Sequence, residues 1–284
     1  MDEKELKRLE DIAATIRRDI INSLCEAGSG HIGGSLDLAD IFTVLYFHTM
    51  KHDPKNPQMP DRDKLILSIG HTAPVLYATL ANAGYFPKEE LMTLRKIGGR
   101  LQGHPSLASG LPGVESASGS LGQGLSICVG MALSDKVDGC DRKIFCVCGD
   151  GEIQEGEVWE AAMSAAHHKL SNIIAIVDRN RLQIDGPNEN VMGLEPLREK
   201  WSSFGWDVYE CNGNSIEELV HTFDNMAGDK PKVLIANTTM GKGVAEIEGD
   251  YKWHGKAPSK EDKERWNING QWTIDNGQWI IDNG

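Results

Sequence analysis

The chain has 284 residues, 40% hydrophobic and 25% charged, which suits a soluble globular protein and suffices for a sizeable buried core. A net charge of −13 argues against nucleic acid or an anionic membrane as the main partner, although loop amides or a metal can outweigh it around a phosphorylated ligand. The charged N-terminus has no signal-peptide core and no run of about eighteen apolar residues occurs, so the expectation is a cytoplasmic protein without a membrane span.

Leu9, Ile12, Ile16, Ile20 and Leu24 recur at spacings of three and four, which predicts an amphipathic helix over 5–27. The loop GSGHIGGS (28–35) leads into a second apolar helical stretch, LDLADIFTVLYF. Strand-like runs then alternate with helical ones. KLILSIG precedes APVLYATLANAG, RKIFCVCGD precedes EVWEAAMSAAHHKL, and NIIAIVD follows directly. WDVYECN precedes SIEELVHTFDNMAG, and KPKVLIANTT closes the series. Short Ile- and Val-rich runs between helices predict one α/β domain over 1–265, a parallel sheet flanked by helices on both faces. In such sheets ligands sit beyond the carboxyl ends of the strands.

Six cysteines form no Cys-x-x-Cys pair, and Cys146 and Cys148 alternate on an apparent strand, which places both on one face. The expectation is reduced core thiols. Residues 266–284 differ from the rest: NINGQWT-IDNGQWI-IDNG repeats a seven-residue unit with Trp272 and Trp279 in register. Asn276-Gly277 between β-prone flanks suits a type I′ hairpin turn, and a poorly ordered tail is the alternative.

The chemistry concentrates in GDGEIQEG at 149–156. Asp150 ends a strand between Gly149 and Gly151, where glycine permits a sharp turn and close approach of a ligand to the main chain. Asn180 ends the next strand, and two adjacent parallel strands would bring the pair together. One carboxylate and one amide oxygen suit Mg²⁺, which keeps few protein ligands and takes the rest from phosphate and water. A tight acidic turn without a ligand remains the alternative at this point. Four histidines, His31, His71, His104 and His254, adjoin glycines in loops, where imidazoles can hydrogen-bond hydroxyls and shuttle protons near neutral pH. His167 and His168 follow the metal loop on a helix and are read as surface or packing residues.

The pair Gly-Asp-Gly and Asn180 resembles the thiamine diphosphate motif, whose usual Asn-Asn ending is here Arg179-Asn180. SGHIGG (29–34), SIGHTAPVLYATL (68–80), LQGHP (101–105), SGSLGQGLS (118–126), RNRLQIDG (179–186) and KWHGKAP (252–258) extend the match to transketolases over roughly 5–260. Ser120 stands where many of them have proline.

The resemblance implies thiamine diphosphate held with Mg²⁺, or Ca²⁺ or Mn²⁺ in its place, by Asp150, Asn180 and the carbonyl of Leu182. It implies His31, His104 and His254 at the donor sugar, and His71 and His254 at the diphosphate. Gly119 and Leu121 would line the cofactor rings, Gly151 and Gly156 would lie at the diphosphate, and Glu155 would be a buried acid in a proton network between paired sites.

In transketolases the glutamate that activates the cofactor lies on a second domain, and this sequence ends after the first. The resemblance is therefore to the N-terminal subunit of a split transketolase. A C-terminal subunit with the pyrimidine-binding and C-terminal domains is expected as partner, in an α2β2 heterotetramer acting on sugar phosphates. Less favoured alternatives are a subunit specialised for a sulfonated or branched sugar, a deoxyxylulose-phosphate-synthase-like chain, a 2-oxoacid dehydrogenase α subunit, and a non-catalytic scaffold.

Overall fold

The computed structural model describes residues 1–266 in full and the backbone of 271–275 and 278–282. Helix α1 (Glu3–Ala27) is capped by Asp2, whose Oδ1 accepts the amide of Glu5 at 2.7 Å, and it ends at Gly28 in the left-handed region. Its apolar stripe, Leu9, Ile16, Ile20 and Leu24, is fully buried. The second apolar stretch is not one helix. It divides into α2 (Gly33–Asp37) and α3 (Ala39–Val44), offset at Leu38, and the offset leaves Asp37 facing the ends of the sheet strands rather than solvent. Asp40 of α3 holds Arg17 of α1 through two hydrogen bonds of 2.9 and 2.6 Å, with both side chains fully buried.

The chain continues through β1 (Lys64–Leu67), α4 (Ala73–Ala83), α5 (Gln123–Asp138), β2 (Ile144–Gly149) and α6 (Gly156–His167). Next come β3 (Ile173–Arg179), the two-residue strands β4 (Leu182–Gln183) and β5 (Gly186–Pro187), α7 (Asn188–Val191) and α8 (Leu197–Ser203). The sequence of elements closes with β6 (Asp207–Asn212), α9 (Ile216–Asp224), β7 (Lys232–Asn237) and α10 (Lys260–Arg265), followed by β8 (Gln271–Asp275) and β9 (Gln278–Asp282).

Five of these strands form a parallel sheet in the order β1-β2-β3-β7-β6. Alternation along the central strands divides the core in two. Phe145, Val147, Ile174 and Ile176 pack toward α1, α3, α4 and α9, while Cys146, Cys148, Ala175 and Val177 pack toward α5, α6 and α8. Cys146 and Cys148 do share a face, with their sulfurs 3.6 Å apart, and all six cysteines are free thiols. Strands β8 and β9 pair antiparallel from Gln271↔Asp282 to Asp275↔Gln278, while the Asn276-Gly277 turn proposed from the sequence lies outside the described residues. Among the described residues no helix is long and apolar enough to cross a membrane.

Candidate active site

Strand register brings the two halves of the motif together. Gly149 pairs with Asp178 across β2 and β3, and the amide of Asp150 donates to the carbonyl of Asp178 at 3.1 Å, so the chain beyond each strand emerges side by side. Asp150 is buried, and burial pushes its carboxyl above the ordinary value against the pull of its donors. Its Oδ1 accepts the amide of Gly151 at 2.8 Å. Its Oδ2 accepts the amide of Arg181 at 2.6 Å and Nη1 of Arg179 at 3.1 Å. The Asn180 amide nitrogen donates to Asp37 Oδ2 at 3.0 Å and Asp178 Oδ2 at 3.1 Å, which fixes the orientation of the group and turns its oxygen toward the amide of Leu182, 2.9 Å away.

Asp150, Asn180 and Leu182 line one cavity of about 140 Å³ together with Gly151, Leu121, His71 and His254. The donor set is one carboxylate, one amide oxygen and main chain, which fits a divalent ion completed by phosphate and water. Two further observations suit a diphosphate-bearing ligand. His254 Nδ1 is buried without a partner on this wall, and Leu121, 38% exposed, offers an apolar side chain to it. Gly151 also matters by its size, since a Cβ there would lie 3.2 Å from that of Gln183 across the cavity.

The histidines converge from distant parts of the chain. The His31 and His71 ring centroids are 5.0 Å apart, His71 and His254 are 5.1 Å apart, and His31 and His254 are 6.0 Å apart. Burial, and then the neighbouring imidazoles, push His31 down to about 4 and His71 down to about 3, so both rings are neutral at physiological pH. Burial also lowers His254. His104 stands slightly apart, beside Gly119 and in a wider polar recess shared with Arg95 and Ser118, and burial followed by the Arg95 charge lowers its pKa. His167 and His168 are exposed at the end of α6, as the sequence indicated.

Gly119, Gly156 and Glu155 do not line the cavity. Gly119 faces His104, and Gly156 is exposed at the start of α6. Glu155 departs from its expected burial. In the single chain it is exposed, because its backbone caps α6 at the rim of the domain and its Cβ packs toward Gly122.

The acid that is buried here is Glu152, three residues earlier, which sequence reasoning passed over. Its Oε1 accepts from Ser68 Oγ at 2.6 Å and the Gly122 amide at 2.9 Å, and its Oε2 accepts the Gly149 amide at 3.0 Å. Asp37 and Asp178 were also missed. Burial pushes Asp178 up to about 8, and Asp37, fully buried beside it, is raised well above the ordinary range by burial and by Asp178. In the sequence Arg179 marks only a departure from the motif. Its side chain is 1% exposed and reaches Glu189 and Glu195, each at 2.9 Å, as well as Asp150.

Residues 9–279 match the family described as transketolase, thiamine diphosphate binding domain. The chain belongs to that family. It is 42% identical over 262 residues to one subunit of the apulose-4-phosphate transketolase of Phocaeicola vulgatus, covering 92% of each. It is 41% identical to the 6-deoxy-6-sulfo-D-fructose transketolase subunit SqwG of Clostridium sp., covering 92% of this chain and 95% of that one. Against human transketolase the identity is 40%, over 90% of this chain but 41% of the relative. The solved transketolase of Leishmania mexicana superposes with a TM-score of 0.86 at 30% identity, covering 95% of this chain and 43% of that one. The chain therefore corresponds to a transketolase subunit over nearly its whole length, and to under half of the longer transketolases.

Proposed function

We propose that the chain is the cofactor-binding N-terminal subunit of a split transketolase. With a separate C-terminal subunit it transfers a two-carbon ketol unit from a ketose phosphate to an aldose phosphate. The observation that carries this reading is the meeting, around one cavity, of the Asp150–Asn180 strand ends with His71 and His254. The near-complete coverage of relatives that are themselves single transketolase subunits supports the split arrangement. Bound thiamine diphosphate would supply the carbanion stabilisation that ketol transfer requires at the donor carbonyl carbon.

In this reading Asp150, Asn180 and the Leu182 carbonyl hold Mg²⁺, with Ca²⁺ or Mn²⁺ able to substitute. Gly151, Gly156, His71 and His254 hold the diphosphate, while Gly119 and Leu121 flank the rings. His31, His104 and His254 hydrogen-bond the sugar oxygens, and the low pKa of His31 suits it to donate or accept such a bond without carrying charge. Glu155 is exposed in one chain and becomes buried where a second chain closes over the start of α6. An α2β2 heterotetramer in the cytoplasm accommodates these roles.

A second reading concerns only the sugar. Subunit relatives are named for apulose 4-phosphate and for a sulfonated fructose, so specialisation for a branched or sulfonated ketose is the runner-up. The deciding experiment is reconstitution of the chain with a candidate C-terminal subunit, thiamine diphosphate and Mg²⁺, assayed with common, branched and sulfonated ketoses. Ketol transfer only by the mixture supports the split enzyme. Transfer by this chain alone, or by no combination, overturns it.

A further inference from the structure

We propose that Arg179 makes the metal site select magnesium over calcium, by occupying one oxygen of Asp150 and leaving the other as a single-point ligand. This rests on the reading of Asp150 and Asn180 as metal ligands. The usual asparagine of the motif is replaced by an arginine that is almost wholly buried. Its Nη1 lies 3.1 Å from Asp150 Oδ2, and the same oxygen takes the Arg181 amide at 2.6 Å. Oδ2 is thus saturated by two donors, one of them charged. Oδ1 accepts the amide of Gly151 at 2.8 Å, next to it in sequence.

The two ions ask different things of a carboxylate. Calcium takes six to eight oxygens and readily grips both oxygens of one carboxylate, whereas magnesium holds a strict octahedron and accepts one. A two-oxygen grip on Asp150 would require breaking a charge-assisted bond in a buried site, where such bonds are strongest. The guanidinium itself is held from behind. Its Nη2 meets Glu189 Oε1 and Glu195 Oε1, each at 2.9 Å, and those carboxylates are 48% and 54% exposed. Two acids on the segment after β5 draw the positive charge away from Asp150, which limits the repulsion a cation at Oδ1 would feel.

The test is calorimetric titration of thiamine diphosphate into the full chain, with its C-terminal subunit present, in Mg²⁺ and in Ca²⁺. The wild type should bind more tightly with Mg²⁺. Arg179→Asn should raise affinity in Ca²⁺ relative to Mg²⁺ by roughly tenfold, because the second oxygen of Asp150 is released. Glu189→Gln combined with Glu195→Gln leaves Arg179 in place, and both positions are exposed enough for the fold to tolerate them. That variant should bind several-fold more weakly with both ions at an unchanged ratio, since Asp150 becomes the remaining acid at the guanidinium.

An unchanged Ca²⁺-to-Mg²⁺ ratio in Arg179→Asn overturns the proposal, and should that variant not fold, a wild type that binds thiamine diphosphate as tightly with Ca²⁺ as with Mg²⁺ overturns it. If the wild type shows no cation-dependent binding at all, the metal reading itself fails and this inference falls with it.

Discussion

The carboxylate of Glu152 accepts a 2.6 Å hydrogen bond from the hydroxyl of Ser68, a residue 84 positions earlier in the chain. Through the same carboxylate the turn after β1, the SGSLGQG loop and the Gly-Asp-Gly turn are tied at one point, since the Gly122 and Gly149 amides also donate to it. Gly124 reinforces the tie, donating its amide to Ser68 Oγ at 3.0 Å with no room for a side chain, since a Cβ there would collide with that of Ser68. Glutamine at 152 cannot satisfy this arrangement, because its NH2 must face a donor. Glu152→Gln should therefore cost about 1–3 kcal/mol of stability and weaken cofactor affinity, as the loops at Gly122 and Gly149 lose their shared anchor. Denaturant unfolding and cofactor titration check this, and a variant equal to wild type in both would show that the loops are held by other contacts.

Asp150→Ala removes the one carboxylate among the proposed metal ligands. Metal-dependent binding of thiamine diphosphate should be lost while the sheet persists, because the backbone bond from residue 150 to the Asp178 carbonyl does not need the side chain. Calorimetry and circular dichroism together check the two halves of this statement. Retained affinity would remove Asp150 from the metal site.

His104 sits outside the cavity that holds Asp150 and Asn180, in the recess with Arg95 and Ser118. His104→Ala should accordingly leave cofactor affinity unchanged and lower turnover of the reconstituted enzyme by more than about tenfold, the loss expected for a hydrogen bond to the reacting sugar. Steady-state kinetics beside a cofactor titration separates the two effects. Wild-type turnover would make His104 a bystander.

The histidine cluster also predicts a pH dependence of stability. His71 is pushed down to about 3 in the fold, from an ordinary value of 6.5, chiefly by burial. As pH falls below about 6.5 the unfolded chain takes up this proton and the folded chain does not, so the contribution is intact above that value and is lost progressively toward pH 3. Asp178 acts in the opposite sense. Held up to about 8, it favours the folded state at low pH and loses that advantage as pH rises from 3.8 to 8. Comparison of wild type with His71→Asn isolates the histidine. The variant should gain melting temperature relative to wild type on acidification from pH 7 to about pH 4.5, and parallel curves would contradict the buried neutral imidazole.

Much of this was open to reading in the sequence. The periodicities at 5–27 and the Ile- and Val-rich runs gave α1 and the parallel strands, because burial on one helix face or on both sheet faces leaves a local pattern. Gly-Asp-Gly, Asn180 and the glycine-flanked histidines could be found for a similar reason, since each is a local departure from that pattern. Glu152 carries no such mark. It reads as one more acid in an acidic turn, and its role depends on Ser68 and Gly122, which arrive from other parts of the chain. Asp37 was hidden by the apparent continuity of LDLADIFTVLYF, whose break at Leu38 points its carboxylate at Asn180.

The sequence by itself determined the class of fold, the order of its strands along the chain and the residue types available to bind a metal and a diphosphate. The tertiary structure decided which of those residues meet. Sheet order placed β2 beside β3 and set Gly149 opposite Asp178, and only then did Asp150 and Asn180 share a wall with His71 and His254. It also decided protonation and orientation, making His31 and His71 neutral through burial and turning the Asn180 oxygen toward the Leu182 amide through two carboxylates that hold its nitrogen. Periodicity is a property of neighbours along the chain, whereas desolvation and hydrogen bonding are set by neighbours in space.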